Sequence, residues 1–227
     1  MKIWILSGGE IKDYSRIRIC EDDIVIAVDA GYKHAENLKI TPDYAVGDFD
    51  TMSDGNIRGD CRLMKYPSEK DDTDTMLSAK LAIGLTENFD IDKIVICGAL
   101  GGRIDHTVGN IQTLNYIAEK SDTEAEILGD NEIIRIQKCN TKKRYEQDGT
   151  YKYFSVLSLS GKSSGITIKG CKYNAENITM TNNFPLGLSN EITEKYADRY
   201  VKFYDKFCGW EDGHSSQRVV ETVFEKN

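Results

Sequence analysis

The sequence predicts an α/β fold: an N-terminal doubly wound, three-layer domain on a mostly parallel sheet, followed by a C-terminal all-β domain of sandwich or jelly-roll type. Three observations predict it. Up to about residue 132, apolar runs of strand length alternate with segments of helical period, the pattern of parallel strands joined by right-handed crossovers. Beyond Ile133 the pattern becomes short runs of period two separated by turn residues, with no helix-length amphipathic stretch. Between these regions the stretch Ile94 to Leu114, IVICGALGGRIDHTVGNIQTL, reads as strand, glycine loop and helix. Open α/β sheets bind their ligands at such loops, and glycine lets the backbone approach a phosphate. The expected division is therefore 1–132 and 133–227.

Each element follows from local pattern. Lys2 to Leu6 is an apolar strand ending at Ser7-Gly8-Gly9, and Ile24 to Val28 is a second, apolar enough to be buried on both faces, with Asp29 at its tip. Tyr32 to Leu38 is a short helix closed before Pro42, and Tyr44 to Val46 is a strand followed at once by Gly47-Asp48-Phe49-Asp50. Met76, Ala79, Lys80 and Ile83 fit a 3.6-residue period, so the run Asp71-Asp72-Thr73-Asp74 lies at a helix N-terminus, where one aspartate is expected to cap. The strand from Ile94 leads to a helix over about 106–118, with Val108, Ile111 and Leu114 or Asn115 inward, and Glu124 to Leu128 is the last strand of the domain. The second domain takes strands at Ile133–Gln137, Tyr151–Leu159, Ile166–Ile168, Ile178–Met180, Tyr200–Tyr204 and Val219–Phe224.

Composition narrows the function. At 227 residues with 40% hydrophobic and 29% charged residues the chain can bury a substantial core. A net charge of −8 argues against a nucleic-acid or anionic-membrane partner, either of which needs a basic stripe. No apolar run approaches a membrane span, and Met1 leads directly into a strand, so a cytoplasmic protein is expected. The six cysteines form no C-x-x-C pair and read as reduced, structural thiols, while His34 and His214 stand without partners at ligand spacing and read as incidental.

The acidic residues of the first domain gather at one edge. Asp29 ends a strand, Asp48 and Asp50 follow another, Asp71 and Asp74 begin a helix, and Asp105 follows the central strand. Carboxylates collected there repel one another unless a cation lies between them, and hard oxygen donors beside glycine loops favour Mg²⁺. Arg103 supplies a fork for phosphate, next to Gly101, Gly102 and His106. The P-loop pattern G-x-x-x-x-G-K-[ST] and the dinucleotide pattern G-x-G-x-x-G are absent.

Together the motifs Asp29-Ala30-Gly31, Pro42 to Asp50, Lys70-Asp71-Asp72-Thr73-Asp74 and Gly98 to His106 with Asn110 resemble those of the thiamine pyrophosphokinase family. The resemblance continues through Lys169 to Tyr173 and Gly187 to Glu191, covering roughly Lys2 to Ile192 with the motifs in order. It implies Mg²⁺-dependent transfer of pyrophosphate from ATP to the hydroxyethyl group of thiamine, by a homodimer whose thiamine sites lie at the subunit interface. Carried onto this chain, Asp48, Asp50 and Asp74 resemble the metal and pyrophosphate ligands, Asp71 and Asp105 further metal or nucleotide contacts, and Arg103 the phosphate cation. Asp29 and Thr73 match pocket contacts, Ser189 and Asn190 the thiamine-side motif, and Tyr173 the aromatic beside it. Asp74 or Asp105 is the expected general base. Two alternatives use the same residues: a metal-dependent nucleotide pyrophosphohydrolase, in which water is the nucleophile, and a thiamine or nucleotide sensor without turnover. The segment 193–227, rich in aromatics, is expected to complete the sandwich rather than to build the dimer interface.

Overall fold

The computed structural model of the chain describes residues 1–49, 60–67, 69–146 and 149–193. These fall into two units, divided between Lys143 and Arg144.

The first unit is built on a seven-stranded sheet. Its strands are β1 (Lys2–Leu6), β2 (Ile24–Val28), β3 (Tyr44–Gly47), β4 (Arg62–Lys65), β5 (Lys93–Cys97), β6 (Glu124–Leu128) and β7 (Ile133–Arg135), in the spatial order β4-β3-β2-β1-β5-β6-β7. All neighbours are parallel except β6 and β7. The first strand of the chain is thus central, and the order reverses between β1 and β5.

Alternation along β1 and β5 sorts the core into two layers. Ile3, Ile5, Ile94 and Ile96 pack with Ala79, Ala82 and Leu85 of α2 (Asp74–Thr86) and Leu114 and Ile117 of α3 (Ile104–Lys120). Trp4, Leu6, Val95 and Cys97 face the other way, against Ala35 and Leu38 of α1 (Tyr32–Leu38). Burial on both faces is why these strands read as continuous apolar runs.

Two expectations are corrected here, and one strand without a sequence expectation is added. Arg62–Lys65 is an edge strand, three of whose four residues are exposed, and so lacks the apolar run that marks the others. Ile133–Arg135, expected in the second domain, pairs antiparallel with β6. Glu126, buried in β6, holds Arg135 at 2.8 Å and Lys93 at 3.2 Å, so charge pairing ties this edge strand to the sheet. Val108, expected to face inward, is exposed, while Leu114 is buried as expected, with Thr113, Ile117 and Ala118 beside it in the later turns of α3.

The second unit is β-rich. Among the described residues β8 (Phe154–Val156) pairs with β11 (Gly187–Asn190), and β9 (Ser163–Ile168) with β10 (Ala175–Met180), both antiparallel. The strands expected at Tyr200–Tyr204 and Val219–Phe224 lie outside the described residues. No described helix is long and apolar enough to cross a membrane.

Gly31 sets the fit between the end of β2 and β1. A Cβ there would stand 1.9 Å from the Leu6 carbonyl oxygen, and a backbone atom cannot swing aside. Gly84, within α2, has open space around it. Gly31→Ala is expected to destabilise the protein by about 3 kcal/mol or more, whereas Gly84→Ala stabilises it by up to about 1 kcal/mol. Urea denaturation of the two variants checks both signs.

Candidate active site

The reversal of strand order brings the loops after β1 and β5 side by side. The Ser7 amide donates to the Cys97 carbonyl and the Gly9 amide to the Gly98 carbonyl, each at 2.8 Å. The approach excludes side chains: a Cβ on Gly9 would come within 2.4 Å of the Gly98 oxygen, and one on Gly98, whose φ is +63°, within 2.4 Å of the Ser7 oxygen. Below them the Ser7 and Thr75 hydroxyls meet at 3.3 Å in the core, joining the β1 loop to the first turn of α2.

His34 belongs to this scaffold rather than being incidental. It is buried, with Nε2 2.7 Å from the Gly9 carbonyl oxygen and Nδ1 2.7 Å from the Tyr14 hydroxyl, which also accepts from Asn37 Nδ2 at 2.9 Å. An Nε2–H donor and an Nδ1 acceptor satisfy every partner with a neutral ring. A histidine 25 residues away along the chain leaves no spacing signal for that role.

On the β2 and β3 side lie Asp29, Asp48 and Asp74. Asp29 takes a left-handed backbone conformation (φ 45°), and the absence of a side chain at Gly47 leaves room for it, since a Cβ there would stand 3.1 Å from Asp29 Cβ. Its Oδ1 is buried without a hydrogen-bond partner. Burial first, and then the charges of Asp48 and Asp74, push the Asp29 carboxyl above the ordinary carboxylate range, while the Ala30 amide and Lys70 oppose the rise. Lys70 Nζ lies 2.8 Å from Asp74 Oδ1 as an ion pair, without the alignment of a hydrogen bond. Lys70 is absent from the residues expected at the site, although its place four residues before Asp74 is the spacing that lets the two side chains meet.

The rest of the acidic run divides differently. Thr73, not an aspartate, caps α2, its hydroxyl accepting from the Met76 amide at 3.1 Å. The hydroxyl is already spoken for by the helix, and its place among pocket contacts rests on the resemblance. Asp72 pairs with Lys80 at 2.6 Å, and Asp71 is exposed. Asp50 lies outside the described residues.

At the end of β5, Gly101 (φ +83°) and Gly102 (φ +66°) turn the chain into α3 through conformations that disfavour side chains, and Asn110 Nδ2 donates to the Ala99 carbonyl at 2.8 Å, tying the loop to the helix. Arg103 and Asp105 are paired with each other: Nη2 reaches Oδ2 at 2.6 Å and Nε reaches Oδ1 at 3.2 Å. The fork lowers the Asp105 carboxyl below its usual range. Both side chains are more than half exposed, so the pair is weakly held and Arg103 can turn to an anion at small cost. His106, exposed, donates its amide to Asp105 Oδ1.

In the second unit Asn190 is buried and spends its amide on the backbone. Oδ1 accepts from the Tyr173 and Glu191 amides, and Nδ2 donates to the Tyr173 carbonyl at 2.8 Å. It thereby fixes Tyr173, whose ring stays exposed, beside the turn at Ser189, where φ is +55°. A serine pattern of nucleophile-elbow form also occurs here, Gly161-Lys162-Ser163-Ser164-Gly165. Ser163 opens β9 of an antiparallel pair, however, and its hydroxyl meets Ser158 and Ser160 rather than a histidine.

No three of the described Asp, Glu, His and Cys side chains converge closely enough to hold a metal ion by themselves. The donor chemistry nevertheless fits Mg²⁺, which is commonly bound through one or two carboxylates with the remaining positions filled by phosphate oxygens and water. Asp29 Oδ1, buried and unpartnered among like charges, is the oxygen such a cation would relieve.

Known proteins resemble this chain over most of its length. Residues 18–127 match the family described as "Thiamin pyrophosphokinase, catalytic domain" and 134–203 the "Thiamin pyrophosphokinase, vitamin B1 binding domain". A shorter match, 185–225, is to a glycerophosphotransferase family and overlaps the second. The chain is 32% identical over 179 residues to the thiamine pyrophosphokinase of Bacillus subtilis, covering 76% of this chain and 79% of that protein. Among solved structures, that of thiamin pyrophosphokinase from Geobacillus thermodenitrificans aligns with a TM-score of 0.70 at 27% identity, over 85% of this chain and 89% of the other. The Bacillus subtilis structure aligns at 0.65 and 28%, over 85% and 90%.

The raised Asp29 carboxyl has a stability consequence. A folded-state pKa above the unfolded value of about 3.9 means that folding favours the protonated acid. The contribution is favourable below the unfolded value and is lost as pH rises through the folded one. Asp29→Asn is therefore expected to raise the melting temperature of the metal-free protein at pH 7, with an advantage that shrinks as pH falls toward 4. Thermal melts in a chelating buffer at the two pH values measure it.

Proposed function

The chain belongs to the thiamine pyrophosphokinase family, and from that premise we propose how its residues divide the work of the reaction. The enzyme is a thiamine diphosphokinase, which transfers pyrophosphate from ATP to the hydroxyethyl group of thiamine and releases AMP. The observation that carries the residue assignment is the group Asp29, Lys70 and Asp74, with its buried unpartnered oxygen, set on the same sheet edge as the Gly101–Arg103 loop. Asp48, Asp50, Asp71 and Asp74 are the residues assigned to Mg²⁺. When bound, the ion would supply positive charge to the phosphate oxygens.

The chain's own groups do the rest. Lys70 and Arg103 meet the charge that grows on the phosphates as the thiamine oxygen attacks, and the amides of the glycine loop orient the chain of phosphates. Asp74 and Asp105 are the two carboxylates proposed as general base. Asp29, Thr73, His106 and the loop glycines shape the pocket around ATP. In the β-rich unit, Tyr173, held by Asn190, offers an exposed ring to the cationic thiazolium, and Ser189, whose amide donates to the Ser155 hydroxyl, is assigned to the same ligand.

Domain roles follow: the first unit binds nucleotide and metal, the second thiamine. A homodimer with thiamine at the subunit interface is supported by the large apolar side chains exposed in the second unit, among them Tyr173 at 61%, Phe184 at 64% and Leu186 at 54%. A cytoplasmic setting is supported by the described cysteines, all free, including Cys97, whose thiol burial pushes up to about 12.

Incubation with ATP, Mg²⁺ and thiamine is expected to yield AMP and thiamine diphosphate in equal amounts. AMP released as fast without thiamine would identify a hydrolase instead, and no AMP under any condition a sensor. Asp74→Asn is expected to lower turnover about 100-fold or more while the melting temperature stays near that of the parent chain. A fully active variant removes Asp74 from the reacting centre.

A further inference from the structure

His34 is a buried titratable side chain that the division of work above leaves without a task. It lies in the first turn of α1 with both ring nitrogens engaged. Nε2 is 2.7 Å from the Gly9 carbonyl oxygen, and a Cβ on Gly98 would stand 3.3 Å from the same nitrogen. One corner of the ring therefore touches both loops whose close approach shapes the sheet edge.

Gly9 is held on both sides of its α-carbon. Its amide donates to the Gly98 carbonyl at 2.8 Å, and its own carbonyl accepts from His34. Without the second bond, a residue that has no Cβ regains the freedom to rotate its following peptide. Gly98 in turn opens the loop that carries Gly101, Gly102 and Arg103 into α3, and Gly9 also lies against the Leu100 carbonyl of that loop, 3.5 Å from where its Cβ would be. A displacement at Gly9 is thus passed directly to the glycine loop.

The proton must sit on the right nitrogen. Donation to a carbonyl needs Nε2–H, which leaves Nδ1 as an acceptor; the other neutral tautomer turns a lone pair toward the Gly9 oxygen. The Tyr14 hydroxyl, 2.7 Å from Nδ1, donates there and accepts from Asn37 Nδ2 at 2.9 Å. The two rings also pack, 5.8 Å between centroids and tilted by 53°. Tyr14 comes from the short turn Tyr14–Arg16 and Asn37 from the last turn of α1, so two elements select one tautomer.

Resting on the reaction assigned above, we propose that His34 is a positioning residue for it. The neutral ring, its proton kept on Nε2 by Tyr14, sets Gly9 against Gly98 and so places the glycine loop and Arg103 for the phosphates of ATP. His34 acts through the backbone and touches no reacting atom.

The test uses the full chain with three substitutions. His34→Leu keeps bulk and removes both polar atoms, His34→Gln retains an amide that can donate to the Gly9 carbonyl, and Tyr14→Phe keeps the ring packing while removing the partner of Nδ1. At a temperature where each variant is folded, His34→Leu is expected to raise KM for ATP and lower kcat, each about tenfold, with KM for thiamine unchanged, since a small misplacement far from the chemistry can cost up to about 100-fold. His34→Gln is expected to recover most of both losses. Nitrogen-15 NMR is expected to show the Nε2–H tautomer in the parent and a mixture in Tyr14→Phe, with part of the same kinetic loss. Parent-like kcat and KM for ATP in His34→Leu, with only the melting temperature lowered, would overturn the proposal. Should that variant not fold, parent-like kinetics in Tyr14→Phe with its tautomers mixed would overturn it equally. Calorimetric titration with a non-hydrolysable ATP analogue needs no turnover and is expected to show binding about tenfold weaker in His34→Leu. That weakening, in a parent chain that makes no thiamine diphosphate, would sink the reaction and leave the positioning of the loop standing.

Discussion

The structure of the first unit depends on one close approach, that of the backbone after β1 to the backbone after β5. Two amide-to-carbonyl hydrogen bonds hold it, and glycines at 9 and 98 permit it, because a methyl group at either position would overlap a carbonyl oxygen of the other loop. Everything placed at the sheet edge takes its position from that contact. The acidic group reaches it through Gly31, Gly47 and the Ser7–Thr75 hydroxyl pair, and the phosphate loop reaches it through Gly98. His34 and Tyr14 hold the Gly9 carbonyl from behind. The loops are thus preorganised largely by backbone geometry.

How much of this was legible in the sequence depended on range. The strands buried on both faces, the glycine loop and the acidic run were plain, since each is a local pattern. Arg62–Lys65 escaped notice because an edge strand need not be apolar, and Ile133–Arg135 was assigned to the wrong sheet because its short apolar pattern does not say whether it folds back on the strand before it or joins those after it. At the site, the family motifs brought in the carboxylates but blurred their roles. Thr73 and Asn190 emerge as groups whose polar atoms are committed to the backbone, one capping a helix and the other pinning Tyr173. Arg103 and Asp105, read as having separate tasks, face one another. Contacts of this kind depend on rotamers and long-range placement, which spacing does not encode.

Electrostatics gives the site an unbalanced resting state. Asp29, Asp48 and Asp74 share one edge with the Lys70 ammonium, and burial together with the charges of the other two raises the Asp29 carboxyl. An acidic protein that handles a polyphosphate cannot rely on general attraction, because its overall field opposes the approach of the nucleotide. The binding energy must come from a few placed cations and from neutral surface. Lys70 among the carboxylates and Arg103 beside the glycine loop are the cations so placed.

The central place of β1 also governs the order in which the unit can assemble. Leu6 and Cys97 are register partners separated by ninety-one residues, while β1, β2 and β3 follow one another through short connections. One half of the sheet can therefore collapse on the first strand early, with the other edge of β1 left unpaired until β5 has been made and docked. During synthesis this exposed edge, flanked by Ile3 and Ile5, is a template for pairing with another chain. The unit's slowest and most vulnerable step is the closure of its own middle.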